Sequence, residues 1–231
     1  MDPAILRISI TMNLGGAENT VYPTLLWDER GVLLVDCGFI GALPLLESEL
    51  GRHGLSVREI TGLILTHHDH DHMGAAAALK RANPNLLIYA SVHEAPFISA
   101  TQKPLRLRQA EEMQKNLPPE KKAFGEAFCG MLHQVEPVRV DRLLQDGEIL
   151  DSCGGCRVVA TPGHTPGHIS LCVEKDSIVI AGDAFALEES VPVIANPQFT
   201  LDMVQAAESM EKLLSMQAKA YFCYHGGIYC P

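Results

Sequence analysis

The sequence predicts an α/β fold, in which a mixed sheet or a pair of sheets is covered by helices on the outside. Two observations lead to this prediction. Short apolar segments of strand length recur along the chain and are interrupted by segments with helical periodicity. Some of the predicted strands are joined by tight turns, such as Glu174 to Ser177, and others are joined by helices.

Strand and helix signals alternate through residues 1–90. Apolar and β-branched runs predict strands, while Leu and Glu at helical spacing or a run of alanines predict helices. Gly31, Gly54 and Pro84 supply turn and stop signals between these elements. In chain order we predict strands at 8–11, 20–27 and 32–36, a helix at 43–53, a strand at 62–66, a helix at 75–81 and a strand at 86–90.

The composition changes between residues 94 and 135, a part called the helical segment below. It is richer in Lys, Arg, Glu and Gln, has helical periodicity, and is broken by Pro104 and Pro118-Pro119. We predict an insertion of two or three helices here. After it we predict strands at 139–143, 157–160, 169–174 and 178–181, an amphipathic helix at 201–216 with Asp202 near its start, and a strand at 220–223.

Length, charge and hydropathy limit the possible functions. The 231 residues are 47% hydrophobic, and no linker, repeat or low-complexity tract divides them, so we expect a single domain over 1–231. The formal net charge of −10 speaks against nucleic acid as a partner.

No apolar run has the length of a membrane span, and residues 1–12, which include Asp2 and Arg7, lack the apolar core of a signal peptide. We therefore expect no membrane partner and a cytoplasmic location.

The seven cysteines are scattered through apolar segments, as expected of reduced thiols rather than of a disulfide framework. Cys153 and Cys156 have the spacing of a redox or metal motif, but no second pair with this spacing accompanies them. A turn between small residues is therefore the favoured interpretation, and a redox or metal role is the alternative.

The most informative motif is the stretch from Thr66 to His72, Thr-His-His-Asp-His-Asp-His. It contains four imidazoles and two carboxylates, a combination with few uses besides binding metal. It follows an apolar strand and precedes a predicted helix, so these side chains lie at the carboxyl end of a strand, where open sites of α/β proteins are usually built. The sequence therefore predicts a metal centre at this edge of the fold.

Further ligand-type residues occur where other predicted strands end. Strand ends bring residues that are distant in sequence to one rim, and adjacent glycines let the backbone approach a metal closely. These residues are Asp36, His164, Asp183 and His225.

Taken in order, these motifs resemble those of the metallo-β-lactamase-fold superfamily of metal-dependent hydrolases, and the resemblance covers nearly the whole chain. It implies a four-layer αββα sandwich with a dinuclear metal site at one edge of the two sheets. The implied ligands of one metal ion are His67, Asp69 and His164. Those of the second ion are Asp71, His72 and His225, with Asp183 as the bridge between the two.

Asp69 departs from the usual motif of this superfamily, His-x-His-x-Asp-His, because it replaces the middle His. The flavodiiron branch also has a carboxylate there, a Glu, and uses iron. A carboxylate is a harder ligand than imidazole and shifts the preference from zinc toward iron or manganese, although zinc accepts Asp readily. We therefore expect two divalent metal ions, with zinc as the first choice and iron or manganese as the alternative.

The other polar residues near these motifs receive supporting or neutral roles. The resemblance implies that Asp36 orders the loop of histidines by accepting a hydrogen bond from a ligand, and His168 either supports the site or simply begins a strand. His68 and His70 occupy the variable positions of the motif, and alternation along an extended loop turns them away from the ligands, with a supporting or substrate-contacting role as the alternative. The remaining histidines are interpreted as surface or packing residues: His53, His93 and His133.

The implied reaction is hydrolysis of a small-molecule ester, lactone, thioester or amide. Two close metal ions lower the pKa of a shared water, the hydroxide so formed attacks the substrate, and Asp71 orients this nucleophile. The helical segment is the natural lid over such a site. Its basic residues either receive an anionic substrate or, in the favoured interpretation, form a solvated face balanced by acidic neighbours. They are Lys103, Arg106, Arg108, Lys115, Lys121 and Lys122.

Two alternative functions use the same residues. Asp69 motivates a dinuclear iron redox centre like that of the flavodiiron branch, but 231 residues leave no room for a flavin-binding domain, so electrons would need a separate donor. The second alternative is a non-catalytic descendant that binds metal. The intact set of ligands argues against it, because a binding module needs no open position for water.

Overall fold

Two six-stranded sheets lie face to face, and helices cover the outer face of each. The computed structural model describes residues 4–151 and 155–231. Cys153, one of the two cysteines of the predicted turn, lies outside the described residues, and Cys156 is buried. The predicted α/β fold with four αββα layers is confirmed.

The bounds of the elements place most ligand-type residues just after strands. The strands are β1 (Ala4–Arg7), β2 (Ile10–Leu14), β3 (Ala17–Val21), β4 (Thr24–Asp28), β5 (Gly31–Val35), β6 (Ile60–Leu65), β7 (Leu87–Ser91), β8 (Arg142–Leu144), β9 (Ile149–Leu150), β10 (Cys156–Ala160), β11 (Ile169–Val173), β12 (Ile178–Gly182), β13 (Ala186–Glu188), β14 (Val191–Val193), β15 (Ala220–Cys223) and β16 (Gly227–Tyr229). The helices are α1 (Leu43–Arg52), α2 (His70–Met73), α3 (Ala76–Ala82), α4 (Ala95–Ile98), α5 (Leu105–Asn116), α6 (Pro119–Leu132) and α7 (Met203–Ser215), and a 3-10 helix covers Val57–Glu59.

The first sheet has the strand order β1-β4-β5-β6-β7-β8. The pairs from β1 to β5 are antiparallel, whereas β5, β6, β7 and β8 are parallel neighbours. Parallel strands end at the same edge, so the residues that follow β5, β6 and β7 come together there. These residues include Asp36, the motif that begins at Thr66, and Glu94.

The second sheet has the order β16-β15-β12-β11-β10-β9. Its one parallel pair within the described residues joins β12 to β15, and the other neighbours are antiparallel. The parallel pair brings Asp183, after β12, and His225, after β15, to one edge. The two sheets therefore deliver all the ligand-type residues to a shared rim.

The central strands are buried on both faces, because their apolar residues alternate between two cores. Leu34 and Leu63 pack in the core beneath α1 and α3, while Leu33 and Ile64 pack between the two sheets. A third core lies between the second sheet and α7, which supplies Leu213. Burial on both faces explains why these strands read as continuous apolar runs rather than as alternating ones.

The prediction of one strand over 20–27 is wrong, because this stretch forms the end of β3 and most of β4. Pro23 lies between them and has no N–H to donate to a ladder, so a continuous strand is broken there. β3 instead pairs with β2 in a separate two-stranded ribbon, while β4 joins the first sheet. The ribbon of β13 and β14 and the last strand, β16, have no counterpart in the prediction.

The helical segment contains α4, α5 and α6, where the sequence predicts two or three helices. Pro104 and Pro118 immediately precede α5 and α6, as expected of residues that fix the backbone at a helix start. Leu107 and Ala110 of α5 pack against Leu132 of α6. Among the described residues, none of the helices combines the length and apolar character needed to cross a membrane.

Candidate metal centre

The seven predicted ligands converge at the rim where the two sheets meet. Their side chains form two sets that we call the first group, His67, Asp69 and His164, and the second group, Asp71, His72 and His225. Within each group, potential ligand atoms lie within 4.8 Å of one another. In the first group, Asp69 Oδ2 is 3.1 Å from His164 Nε2 and 3.5 Å from His67 Nε2.

Asp183 stands between the two groups, and each of its carboxylate oxygens faces one of them. Its Oδ1 atom lies 3.3 Å from His72 Nε2 and 3.5 Å from His225 Nε2, in the second group. Its Oδ2 atom lies 3.5 Å from His164 Nε2, in the first group. This is the placement that a bridging ligand requires.

Hydrogen bonds around Asp36 fix which ring nitrogen of two histidines faces the centre. Asp36 accepts bonds of 2.8 Å from the backbone N–H of Thr66, the hydroxyl of Thr66 and Nδ1 of His72. Because the Thr66 hydroxyl gives its proton to Asp36, its oxygen accepts from Nδ1 of His67, 3.0 Å away. Both rings therefore turn Nε2 toward the centre, and in the neutral ring this nitrogen carries the lone pair that a metal ion needs.

These inward-facing atoms suit a divalent cation. Nε2 of His67, Nε2 of His72 and Oδ1 of Asp183 are buried and have no hydrogen-bond partner among the described residues. Buried polar atoms are nearly always satisfied, so a cluster of exceptions indicates a missing partner. Imidazole nitrogen and carboxylate oxygen are the donors that zinc, iron and manganese accept, and the residues therefore fit the metal ions that the sequence predicts.

The carboxylates also make a positive charge favourable in the second group. Burial lowers the pKa of His72, but the neighbouring Asp183, Asp36 and Asp71 outweigh this effect and raise it well above its ordinary value. Burial raises the pKa of Asp183, yet His225 and His72 hold it well below the usual range. The ionised carboxylates thus favour a cation beside Nε2 of His72, either a proton or a metal ion.

His168 holds Asp183 in place rather than facing the centre as a ligand. Its Nε2 accepts a 2.9 Å bond from the backbone N–H of Asp183, and its Nδ1 lies 2.8 Å from the hydroxyl of Thr161. Burial and the nearby histidines lower the pKa of His168 well below its usual value, which keeps the ring neutral as an acceptor. A Cβ on Gly182, whose φ is +56°, would lie 2.7 Å from His168 Nε2, so this contact requires glycine.

His68 turns away from the ligands, as the alternation predicts, but it takes part in a buried hydrogen-bond network. Its Nδ1 is hydrogen-bonded to Glu94, which also accepts from the backbone N–H of His68 at 3.0 Å. The other oxygen of Glu94 accepts from the hydroxyl of Thr165 at 2.7 Å and from the backbone N–H of Gly167 at 2.9 Å. Glu94 is fully buried and ties the histidine loop after β6 to the loop that carries His164. The sequence interpretation missed this residue.

Arg106 corrects the interpretation of the basic residues as one solvated face. The side chain of Arg106 is only 3% exposed and reaches from α5 to Asp69, which accepts bonds of 2.9 Å from Nε and 2.6 Å from Nη2 at the same oxygen, Oδ2. Burial raises the pKa of Asp69, but Arg106 and the neighbouring histidines hold it well below the ordinary value. The other basic residues of the segment are exposed, and two of them form ion pairs with Glu111 and Glu112.

The second group opens to solvent, and an apolar cleft lies nearby. The side chain of His225 is 31% exposed, in contrast to the buried His72. The rings of Phe128 and His70 are 5.8 Å apart. Phe128 and Phe199 also line a cleft of about 320 Å³ between α5, α6 and residues 198–199. The rim therefore has an accessible polar side next to an apolar space.

Comparisons with known proteins agree with this fold. The probable metallo-hydrolase YflN of Bacillus subtilis is 26% identical over 231 residues, which cover 90% of this chain and 80% of the relative. Hydroxyacylglutathione hydrolase GloC of Haemophilus influenzae is 28% identical over 69% of this chain and 64% of its own length.

Two solved structures share the fold. The metallo-beta-lactamase family protein TTHA1429 of Thermus thermophilus has a TM-score of 0.76 and 23% identity, over 98% of this chain and 74% of that one. AidC, a dizinc quorum-quenching lactonase, has a TM-score of 0.64 and 19% identity, over 93% of this chain and 80% of that one. The model of the metallo-beta-lactamase superfamily matches residues 17–225. The chain therefore belongs to the metallo-beta-lactamase superfamily.

Proposed function

We propose that the protein is a metal-dependent hydrolase that cleaves a small-molecule ester, lactone, thioester or amide at a dinuclear centre. The observation that carries this proposal is the convergence of the two groups on Asp183, with buried nitrogen and oxygen atoms that lack a protein partner among the described residues. Membership of a superfamily whose relatives include metallo-hydrolases supports it.

We propose zinc as the first choice for both groups, and iron or manganese as the alternative. The name of AidC as a dizinc lactonase supports zinc. Asp69 favours a harder metal and is the reason for the iron or manganese alternative, while in the absence of metal its charge is offset by Arg106. When bound, the metal ions would supply Lewis-acid polarisation of the scissile carbonyl and a lower pKa for a water between them.

The residues of the second group position the attacking water. Burial raises the pKa of Asp71, but the nearby histidines outweigh this and hold the carboxylate ionised, so that it can accept a hydrogen bond from the water. The Tyr224 hydroxyl donates a 2.6 Å bond to the backbone carbonyl of Asp71 and fixes this loop. His225 is the partly exposed residue of this group, so a substrate approaches the water from the side of His225.

The substrate class is inferred from the relatives and from the cleft. The names of GloC and AidC denote a hydroxyacylglutathione hydrolase and a lactonase, and both act on acyl groups bonded to sulfur or oxygen. The cleft lined by Phe128 and Phe199 is suited to the apolar part of such an acyl group. We propose a small-molecule substrate, without a nucleic acid or membrane partner.

A substrate panel with and without chelation tests this proposal. Purified protein is assayed against lactones, thioesters, β-lactams and phosphodiesters, then treated with a chelator and reloaded with zinc, iron or manganese. We expect turnover of a lactone or thioester that disappears on chelation and returns with metal. Hydrolysis that survives complete removal of metal would contradict the proposal, and metal binding without turnover of any class would favour the non-catalytic alternative.

The redox alternative rests on the carboxylate of Asp69 in the first group. It predicts bound iron with an optical or spin signal that changes on reduction. Colourless zinc protein that hydrolyses a lactone or thioester would remove this alternative.

A further inference from the structure

Arg106 contacts atoms of the first group that a metal ion also needs. Its Nη2 lies 2.6 Å from Asp69 Oδ2 and 3.2 Å from His164 Nε2. Asp69 Oδ2 is the oxygen that faces the histidines of this group, at 3.1 Å from His164 Nε2. One guanidinium nitrogen thus touches two of the three ligand side chains at their inward-facing atoms.

The remaining nitrogens hold the guanidinium in this position. Nε donates a second bond to Asp69 Oδ2, at 2.9 Å, and Nη1 donates to Gln109 Oε1 and to the backbone carbonyl of Phe199. The Phe199 ring lies 5.1 Å from the centre of the guanidinium. A buried, fully bonded Arg is a stable cation, so its contacts with the first group are built into the fold.

The second group has no such competitor among the described residues. The ion pairs of Asp71, His72, His225 and Asp183 involve only histidines and carboxylates, and no Lys or Arg takes part. The two groups therefore differ in one respect that affects binding of a divalent cation: a fixed positive charge occupies the first group alone.

We propose that Arg106 and a divalent metal ion compete for the first group, so that the second group fills first and the first group fills only as the guanidinium withdraws. The inference rests on the proposed function, since it assumes that both groups bind metal. Arg106 belongs to α5, next to the buried Leu105 and Leu107. Withdrawal of its side chain breaks the bonds that join α5 to Asp69 and to the backbone carbonyl of Phe199, and it thereby couples occupancy of the first group to the position of the helical segment.

Zinc titration of Arg106→Met tests the competition. Full-length protein is stripped of metal and titrated with zinc against a chromophoric chelator. The wild type is expected to bind one equivalent tightly and the second more weakly. Removing the charged hydrogen bonds at Asp69 is expected to raise the affinity for the more weakly bound equivalent roughly 10- to 100-fold. The affinity for the more tightly bound equivalent should change little. Arg108→Met is the matched control, because Arg108 is exposed on the same helix, and it should leave both affinities unchanged.

Hydrogen exchange in the wild type provides a readout that does not depend on the variant folding. Amides of residues 105–116 should exchange faster when the second equivalent of zinc binds, and not when the first binds. The inference, but not the proposed function, would be overturned if the wild type and Arg106→Met bound the second equivalent of zinc with equal affinity. It would also be overturned if amide exchange in α5 did not change when the second equivalent binds. Failure of the wild type and both variants to bind zinc, iron or manganese at all would instead overturn the proposed function.

Discussion

Asp183→Asn is expected to lower the zinc content at saturation from about two equivalents per chain to one or fewer and to reduce hydrolysis about a thousandfold. Asp183 is the residue whose two oxygens face both groups, at 3.3 Å from His72 Nε2 and 3.5 Å from His164 Nε2. Asparagine keeps the shape of the side chain but offers only one oxygen as a ligand. Its NH₂ group would face one of the two groups and cannot bind a metal ion there. Metal content and turnover are measured on the same preparation.

His133→Ala is the control for this change. His133 is exposed at the end of the helical segment and lies 3.5 Å from Glu111, far in sequence from every ligand. It should keep its metal and its activity. If the two variants lost metal or activity equally, the assignment of Asp183 as the bridge would be wrong.

Glu94→Gln is expected to have the largest effect on stability. Burial raises the pKa of Glu94, but His68 outweighs burial and lowers it, while the pKa of His68 is raised despite burial because of Glu94. The two are therefore a buried ion pair, and neutralising one member leaves the other uncompensated. Removal of one partner from such a pair typically costs about 3–5 kcal/mol. Thermal or denaturant unfolding of the variant should reveal a loss of this size.

The same substitution also tests whether Glu94 positions the first group. Glu94 joins the loop of His67 to that of His164 through its bonds to His68, Thr165 and Gly167. We expect zinc affinity to fall together with stability, because the ligands of the first group come from these two loops. Glu120→Gln, an exposed change in the first turn of α6, is the control. Stability like that of the control would show that the pair does not support the fold.

The sequence predicts where the ligand-type residues meet, because most of them follow strands. Asp183 and His225 are separated by 41 intervening residues, yet the parallel pairing of β12 with β15 brings them to one edge. Asp36 could be placed beside the histidine loop for the same reason, since β5 and β6 are parallel neighbours. The position of each strand along the chain is reflected in the sequence because apolar runs and turn residues mark it.

The sequence does not predict the buried contacts of Glu94 and Arg106, because the helical segment gives a different kind of signal. Charged residues at helical spacing usually lie on a solvated face, and nothing local shows that one of them turns inward. Two features of the sequence are consistent with these buried positions. Glu94 comes soon after β7, as the other polar residues follow their strands, and Arg106 lies between Leu105 and Leu107, both of which are buried. Only the packing of the segment against the rim decides which charges are buried.

The environment of Asp69 in the folded protein changes what its carboxylate implies about the metal. In the sequence it is a carboxylate in place of a histidine, and it suggests a harder metal. In the structure the side chain of Arg106 offsets its charge, at 2.6 Å from Oδ2. Without metal, the net charge of the first group with Arg106 is the same as that of an all-histidine group, and the charge of Asp69 acts on a metal ion only where the guanidinium withdraws.

Metal content of the full-length protein is the most direct test of the account. The purified chain is stripped with a chelator, confirmed to be folded, and equilibrated with an excess of zinc, iron or manganese, and bound metal is counted by elemental analysis after removal of the excess. We expect about two equivalents per chain at saturation. A well-folded chain that holds no metal and takes none up under these conditions would contradict the central claim that the two groups form a metal centre.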